Sequence, residues 1–260
     1  MRTTALPPTL KRRWWTTVWL FGAVSTSTYG LLWVAWSSPD ASRWGMLTAL
    51  ALAYVLIFTR VHLRLNRRPA QSVIQANLGP ANAVTLARGL LAGLLAGFVM
   101  APAPAGLWAL VPGALMTGVS VLDLADGWLA RRRGETTDLG AKLDVEVDSL
   151  ALLVAYVLAV KLGQLPLAFA AVGGLYYAYR LALAGRRRRG LPVYPIPVDR
   201  RRSVIAGVQM GVLCAILWPV WTPPLTVALA GAAVALVALS FGRDWLAATG
   251  RRPSTSSPPT

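Results

Sequence analysis

The sequence predicts an all-α fold, a polytopic transmembrane helical bundle, and three observations carry that expectation. Of 260 residues, 55% are hydrophobic and only 14% charged, with a mean hydropathy of +0.53. The apolar residues gather into runs at roughly 14–36, 44–61, 82–101, 105–131, 139–161, 164–184, 203–221 and 224–242, and a spanning helix needs about 20 of them. None of these runs alternates polar and apolar residues as a barrel strand does, and lipid admits only helices or closed barrels. A lone cysteine, Cys214, and a lone histidine, His62, exclude an internal disulfide and a Cys/His zinc site.

Taken in order, the first run follows Lys11, Arg12 and Arg13, as the core of a signal peptide would. The stretch "LLWVAWSSPD" then offers bulky residues where a cleavage site needs small ones. The expectation is a retained helix with Trp14, Trp15, Trp33 and Trp36 anchored at its two membrane interfaces. In the third run Gly89, Gly93 and Gly97 recur every four residues, which lets another helix approach closely, either inside the bundle or across a dimer. Gly207 and Gly211 repeat the pattern more weakly. After the sixth run, "GRRRRG" (185–190) and "DRRRS" (199–203) flank the Pro-rich "LPVYPIP". Arg186 to Arg189 read as topogenic charge attracted to anionic lipid, an effect of about 1 kcal/mol per residue. For Arg200 to Arg202, topology and recognition of an acidic acceptor are both open. The end of the chain, "RRPSTSSPPT", is polar and Pro-rich, and residues 246–260 read as a disordered tail.

Orientation follows from the basic residues. Of 26 Lys and Arg, 21 lie before the first run, in the loops after the second, fourth and sixth runs, or in the tail, whereas the alternate loops hold only Arg43 and Lys161. This bias puts both termini on the cytoplasmic side. A net charge of +16 alone would fit nucleic acid, but its distribution as short clusters between apolar runs argues against that partner and for a membrane.

The fourth and fifth runs flank "DLADGWLARRRGETTDLGAKLDVEVD" (123–148), which carries seven of the ten acidic residues. Asp123 and Asp126 are three apart and Asp144 and Asp148 four apart, so each pair shares a helix face. Two antiparallel helices joined by a short polar loop can bring the faces together as a four-carboxylate cluster. Four charges at mid-bilayer would cost on the order of 10–14 kcal/mol, which calls for cations or a wet cavity. Carboxylates without His or Cys suit hard cations such as Mg2+, Mn2+ or Ca2+, and four of them can hold two ions side by side for displacement at phosphorus. Arg131 can reach a phosphate, and Gly127, Ala130 and Gly140 leave room for a flat substrate against the backbone. Glu146, about 200° round the helix from Asp144 and Asp148, reads as a salt-bridge partner to another helix, with Lys142 a nearby candidate. Glu135 and Asp138 read as solvated loop residues.

The pattern Asp123-x2-Asp126-Gly127-x2-Ala130-Arg131-x8-Gly140-x3-Asp144-x3-Asp148 resembles the signature of the CDP-alcohol phosphotransferases at every fixed position. Asn82-x2-Thr85-x2-Arg88 resembles the start of that family's first core helix. The resemblance implies a six-helix core over roughly 82–242, preceded here by two extra N-terminal transmembrane helices. It divides the chain into an extension (1–70), a core (71–245) and a tail (246–260). It implies a homodimer in a bacterial-type inner membrane, with a site open to the cytoplasm. There a substituted phosphate passes from a CDP-linked lipid such as CDP-diacylglycerol to an alcohol, with release of CMP. It also implies two divalent cations, Mg2+ or Mn2+, on Asp123, Asp126, Asp144 and Asp148, with Asp148 the general base. A free carboxylate near pKa about 4 is a weak base for an alcohol, and a neighbouring metal narrows that gap. Gly127, Ala130, Arg131, Gly140, Asn82, Thr85 and Arg88 would frame the CDP. Beside the resemblance, the positive charge of Arg180, Arg200, Arg201 and Arg202 reads as meeting an acceptor that itself carries phosphate, such as glycerol 3-phosphate or inositol phosphate; with serine or another unphosphorylated alcohol these arginines serve topology alone. The extra helices are expected to leave the chemistry untouched, so that a chain starting near Gln71 retains activity. A cation transporter or an inactive scaffold of the same fold are the rival readings. Ion passage has no use for the Gly, Ala and Arg positions, and no signature position is missing.

Overall fold

The computed structural model describes residues 6–133, 136–194 and 200–250; the side chains of residues 126–133, 200, 202 and 203 fall outside the description. The described residues form helices and no strand: α1 (Pro8–Ala35), α2 (Ser38–His62), α3 (Pro80–Met100), α4 (Val111–Arg133), α5 (Asp138–Lys161), α6 (Ala168–Gly173), α7 (Leu175–Arg188), α8 (Arg200–Ile216) and α9 (Leu225–Ala248). The fold is a polytopic helical bundle. Among the described residues, five segments are long and apolar enough to cross a membrane: Pro8–Ala35, Ser38–Leu65, Pro80–Met100, Gly106–Ala125 and Leu225–Ala248.

The other three expected spans differ from that simple form for physical reasons. Helix α5 is 24 residues long, but its first half carries the charges of the acidic stretch. The run at 164–184 breaks at Gly173 and Gly174 into α6 and α7. There α6 lies so close to α5 that a Cβ on Gly173 would stand 2.9 Å from the Leu153 Cα. In α8 the apolar segment shortens to Val204–Ile216. The expected tail also starts late, since residues 246–248 complete α9; residues 251–260 lie outside the described residues.

Local sequence sets the helix starts. Gly79 takes a φ of +79°, which glycine alone adopts freely, and Pro80 opens α3 with its ring at a position whose N–H has no helical partner. Thr137 caps α5, its hydroxyl accepting from the Gly140 N–H at 3.0 Å.

Helix α3 is the hub, packed by α2, α4 and α5. Its glycine face resolves the two readings of that stripe. Val55 sits over Gly89, Leu52 over Gly93, and Trp44 and Thr48 over Gly97, so the close approach is made within the chain by α2. Without a hydrophobic drive in lipid, such small-residue packing is what holds helices together. A Cβ on Gly97 would run into both Thr48 and Trp44. Gly97→Val is therefore expected to destabilise the protein by about 1–3 kcal/mol, read as a lower thermal midpoint in detergent. An unchanged midpoint would mean that α2 does not seat there. Gly207 and Gly211 face open space.

The tryptophans divide. Trp15 and Trp33 are exposed, in keeping with interfacial anchoring. Trp14 instead reaches the Leu56 carbonyl at 3.4 Å beneath the Arg60 guanidinium, and Trp36 packs edge-on against Phe98 and Trp108. Polar ties join the remaining helices. Gln209 donates to the Tyr156 hydroxyl at 2.9 Å between α8 and α5, and the Lys161 ammonium donates to the Phe98 and Ala101 carbonyls at the end of α3.

Candidate metal and active site

Three helices meet at one buried guanidinium. Arg88 of α3 is 0% exposed and contacts Asp123 of α4 at 2.9 Å, Asp144 of α5 at 2.6 Å, and Asp148 of α5. The side chains of Asp123, Asp144 and Asp148 are 33%, 44% and 24% exposed, so the guanidinium closes the inner side of the cluster while the carboxylates open outward. The helical spacing of Asp144 and Asp148 puts both on the face turned to α3 and α4, as the sequence predicts.

One carboxylate oxygen from each of Asp123, Asp144 and Asp148 lies within 4.8 Å of the other two. Like charges at that separation repel by about 3–4 kcal/mol per pair at an effective dielectric of 20. Arg88 offsets this repulsion and leaves the three carboxylates two charges negative, which one divalent ion balances. The geometry fits such an ion. Oxygens no more than 4.8 Å apart span at most two metal–oxygen bonds of about 2.4 Å, the calcium range, and a small closure reaches the ~2.0–2.1 Å of Mg2+. The donor set is all oxygen, as hard cations require. Asp126, the fourth expected ligand, continues the α4 backbone but its side chain lies outside the described residues, as do those of Gly127, Ala130, Arg131, Arg200 and Arg202.

Arg88, expected in the nucleotide frame, makes its contacts here with the three carboxylates. Ionisable residues inside a membrane pair with one another or with backbone carbonyls, and this is the signal that could have led from Arg88 to the aspartates.

Asn82 and Gly140 meet each other. The Asn82 amide nitrogen lies 2.6 Å from the Leu78 carbonyl, 3.1 Å from Asn66 Oδ1 and 3.2 Å from Thr137 Oγ1, and a Cβ on Gly140 would overlap Asn82 Oδ1. Asn82 and Thr85 are both buried, and Thr85 donates back to the Ala81 carbonyl at 3.2 Å. This layer fixes the start of α5 against α3 directly beside the carboxylates.

Glu146 does pair with another helix, but through Arg180 of α7 rather than Lys142. Arg180 Nη1 donates to Glu146 Oε2 at 2.6 Å, and the Tyr54 hydroxyl of α2 donates to Glu146 Oε1. Since Glu146 lies about 200° from Asp144 and Asp148 on α5, Arg180 is held on the far side of that helix from the carboxylates. Arg201 is exposed at the start of α8. Asp138 is no free loop residue: it opens α5 and pairs with Arg67 at 3.1 Å, while its N–H donates to the Arg67 carbonyl at 2.9 Å. Glu135 lies outside the described residues. Tyr54 and Arg67 were not legible as site neighbours, because no local pattern links them to a motif so far along the chain.

A protein-family model described as CDP-alcohol phosphatidyltransferase matches residues 78–242, which takes in α3, the whole acidic stretch and most of α9. No curated protein matches the chain.

Proposed function

Because the chain belongs to the CDP-alcohol phosphatidyltransferase family, we propose that it moves a substituted phosphate from a CDP-linked lipid to an alcohol and releases CMP, in phospholipid synthesis. The single observation that supports this most is the convergence of Asp123, Asp144 and Asp148 on one point, open to the exterior and backed by Arg88. Membership of the family implies transferase activity, and long apolar helices make this an integral membrane enzyme.

Asp123, Asp126, Asp144 and Asp148 would hold Mg2+ or Mn2+, which when bound neutralises the diphosphate and the charge that develops on transfer. The chain's own groups supply the rest. Asp148, the least exposed of the three described carboxylates, takes the proton of the acceptor hydroxyl as its oxygen attacks the lipid-linked phosphorus. The bond from that phosphorus to the oxygen of CMP breaks, and CMP leaves with the bonding pair. Arg88 keeps the carboxylates from splaying apart. Gly127, Ala130 and Arg131 would frame the CDP, as the family signature implies, and Gly140 lets α5 pack on Asn82.

The distribution of Lys and Arg supports a cytoplasmic site and cytoplasmic termini. The glycine face of α3 is filled by α2, so a homodimer would form through other helices. CMP release from CDP-diacylglycerol by the purified protein with Mg2+ or Mn2+, against a panel of acceptors, tests the reading. Release with one acceptor and none without divalent metal is expected; no release with glycerol 3-phosphate, inositol phosphate, inositol or serine would overturn it.

The acceptor reads as a phosphorylated alcohol, such as glycerol 3-phosphate or inositol phosphate, since Arg200 to Arg202 enter α8 as a block whose guanidinium forks match phosphate. Glutamine at the responsible arginine is expected to raise the acceptor's Michaelis constant about 10- to 100-fold and leave the donor's unchanged. Because Arg180 turns to Glu146, its replacement is expected to act on α7 position rather than on acceptor binding. If glutamine at Arg200, Arg201 and Arg202 all leave the acceptor constant unmoved, the block serves topology alone.

A further inference from the structure

We propose that α2 and the linker after it, which precede the region matched by the family, are a working part of the site, with Tyr54 and Arg67 positioning α5 so that Asp144 and Asp148 meet Asp123. The proposal rests on the metal-site reading above and goes beyond it, because neither residue belongs to the signature, and it replaces the expectation that a chain starting near Gln71 retains activity.

Glu146 supplies the first reason. It lies two residues from each of Asp144 and Asp148, its side chain is only 4% exposed, and nothing in the transfer chemistry uses it. It is held from both sides, by the Tyr54 hydroxyl of α2 and by Arg180 of α7. Arg180 is 52% exposed and sits on a helix with no buried residue, so it can follow α5 if α5 moves. Tyr54 cannot. Its neighbours Leu52 and Val55 are seated over Gly93 and Gly89, which fixes the height of α2 along α3. Tyr54 thus marks on α2 the depth at which α5 must sit.

The second reason lies at the start of α5. Arg67 clasps Asp138 through its side chain at 3.1 Å and, through its carbonyl, the Asp138 N–H at 2.9 Å. Asn66, beside it, accepts from Asn82, which in turn reaches the Thr137 cap of α5. The linker therefore grips the first turn of α5 while Tyr54 grips it two turns later. A helix rises about 1.5 Å per residue, so a slip of even one residue would carry Asp144 and Asp148 well beyond the roughly 0.5 Å tolerance of a metal or catalytic site. Two ties some eight residues apart on α5, each to an element fixed on α3, prevent both sliding and rotation.

The test is Mn2+ affinity of the full-length protein in nanodiscs, measured by electron paramagnetic resonance, alongside the thermal midpoint and CMP release at rising Mn2+. Tyr54→Phe removes one hydroxyl and keeps the ring. It is expected to weaken Mn2+ binding about 10-fold, the lower range for a lost hydrogen bond to a charged group, and saturating Mn2+ should restore CMP release. Glu146→Gln keeps one oxygen that accepts from Tyr54 but turns an amide N–H towards Arg180, and is expected to fall between wild type and Glu146→Ala, which should match Tyr54→Phe. Arg67→Gln, at a half-exposed position, is expected to lower Mn2+ affinity in the same direction and provides the reading should Tyr54→Phe fail to fold. If Tyr54→Phe and Arg67→Gln lower the thermal midpoint but leave Mn2+ affinity unchanged, the two residues serve stability alone and the proposal is overturned. Failure of the transfer reading looks different: the wild type would then release no CMP, while the comparison of Mn2+ affinities would still stand.

Discussion

Arg88→Met is expected to abolish CMP release and to lower the thermal midpoint by on the order of 10 °C, the largest loss of any single change outside the carboxylates. The reason is electrostatic. Asp123, Asp144 and Asp148 share one guanidinium that is wholly buried, and removing it leaves three like charges within 4.8 Å that pair with no other cation among the described residues. Breaking a buried pair by deleting one partner typically costs about 3–5 kcal/mol. A divalent ion can supply the missing charge, so added Mn2+ should raise the midpoint of Arg88→Met by more than it raises that of the wild type. Arg88→Lys keeps the charge but loses the fork that touches three acids, and should fall between the two. Equal Mn2+ shifts in Arg88→Met and wild type would show that the guanidinium does not share the carboxylates' charge balance.

Asp148→Asn should reduce CMP release by at least about 10³-fold, within the range for loss of a positioned general base and compounded by loss of a metal ligand. Asparagine keeps the shape and one acceptor oxygen, so the helices should still assemble. Asp123→Ala and Asp126→Ala are expected to act earlier, weakening Mn2+-dependent binding of CDP as well as turnover. The pair of measurements separates roles. Asp148→Asn should retain more nucleotide binding than Asp123→Ala while being at least as inactive. Wild-type turnover in Asp148→Asn would remove it from the proton transfer altogether.

The carboxylate cluster was legible in the sequence because its information is local: helical spacing fixes which aspartates share a face, and a short loop fixes which faces meet. Three of the four aspartates gather as expected. Arg88 was legible as a residue but not in its contact, since its neighbours Asn82 and Thr85 suggested a nucleotide frame while burial dictated an ion pair. The glycine stripe of α3 left two partners open, and only the heights of Val55, Leu52, Thr48 and Trp44 on α2 decide between them. The break at Gly173 and Gly174 was hidden because an apolar run shows length but not how closely α6 must pass Leu153. Glu146 shows the same limit. Its direction away from the aspartates follows from 3.6 residues per turn, whereas its partners, 34 and 92 residues away, do not.

The seating of α2 on the glycine face of α3 also bears on how the chain is made. A charged residue at mid-bilayer costs about 2.5–3.5 kcal/mol on insertion scales, and α3 carries Arg88. The first of its acid partners, Asp123, lies 35 residues further on, so at synthesis rates of about 5–20 residues per second α3 waits about 2–7 s for it. Helix α2, by contrast, leaves the ribosome before α3 does. The first partner that α3 can meet in the membrane is the one shaped to its glycines, and that docking holds a helix with an unmatched charge in place until α4 and α5 arrive.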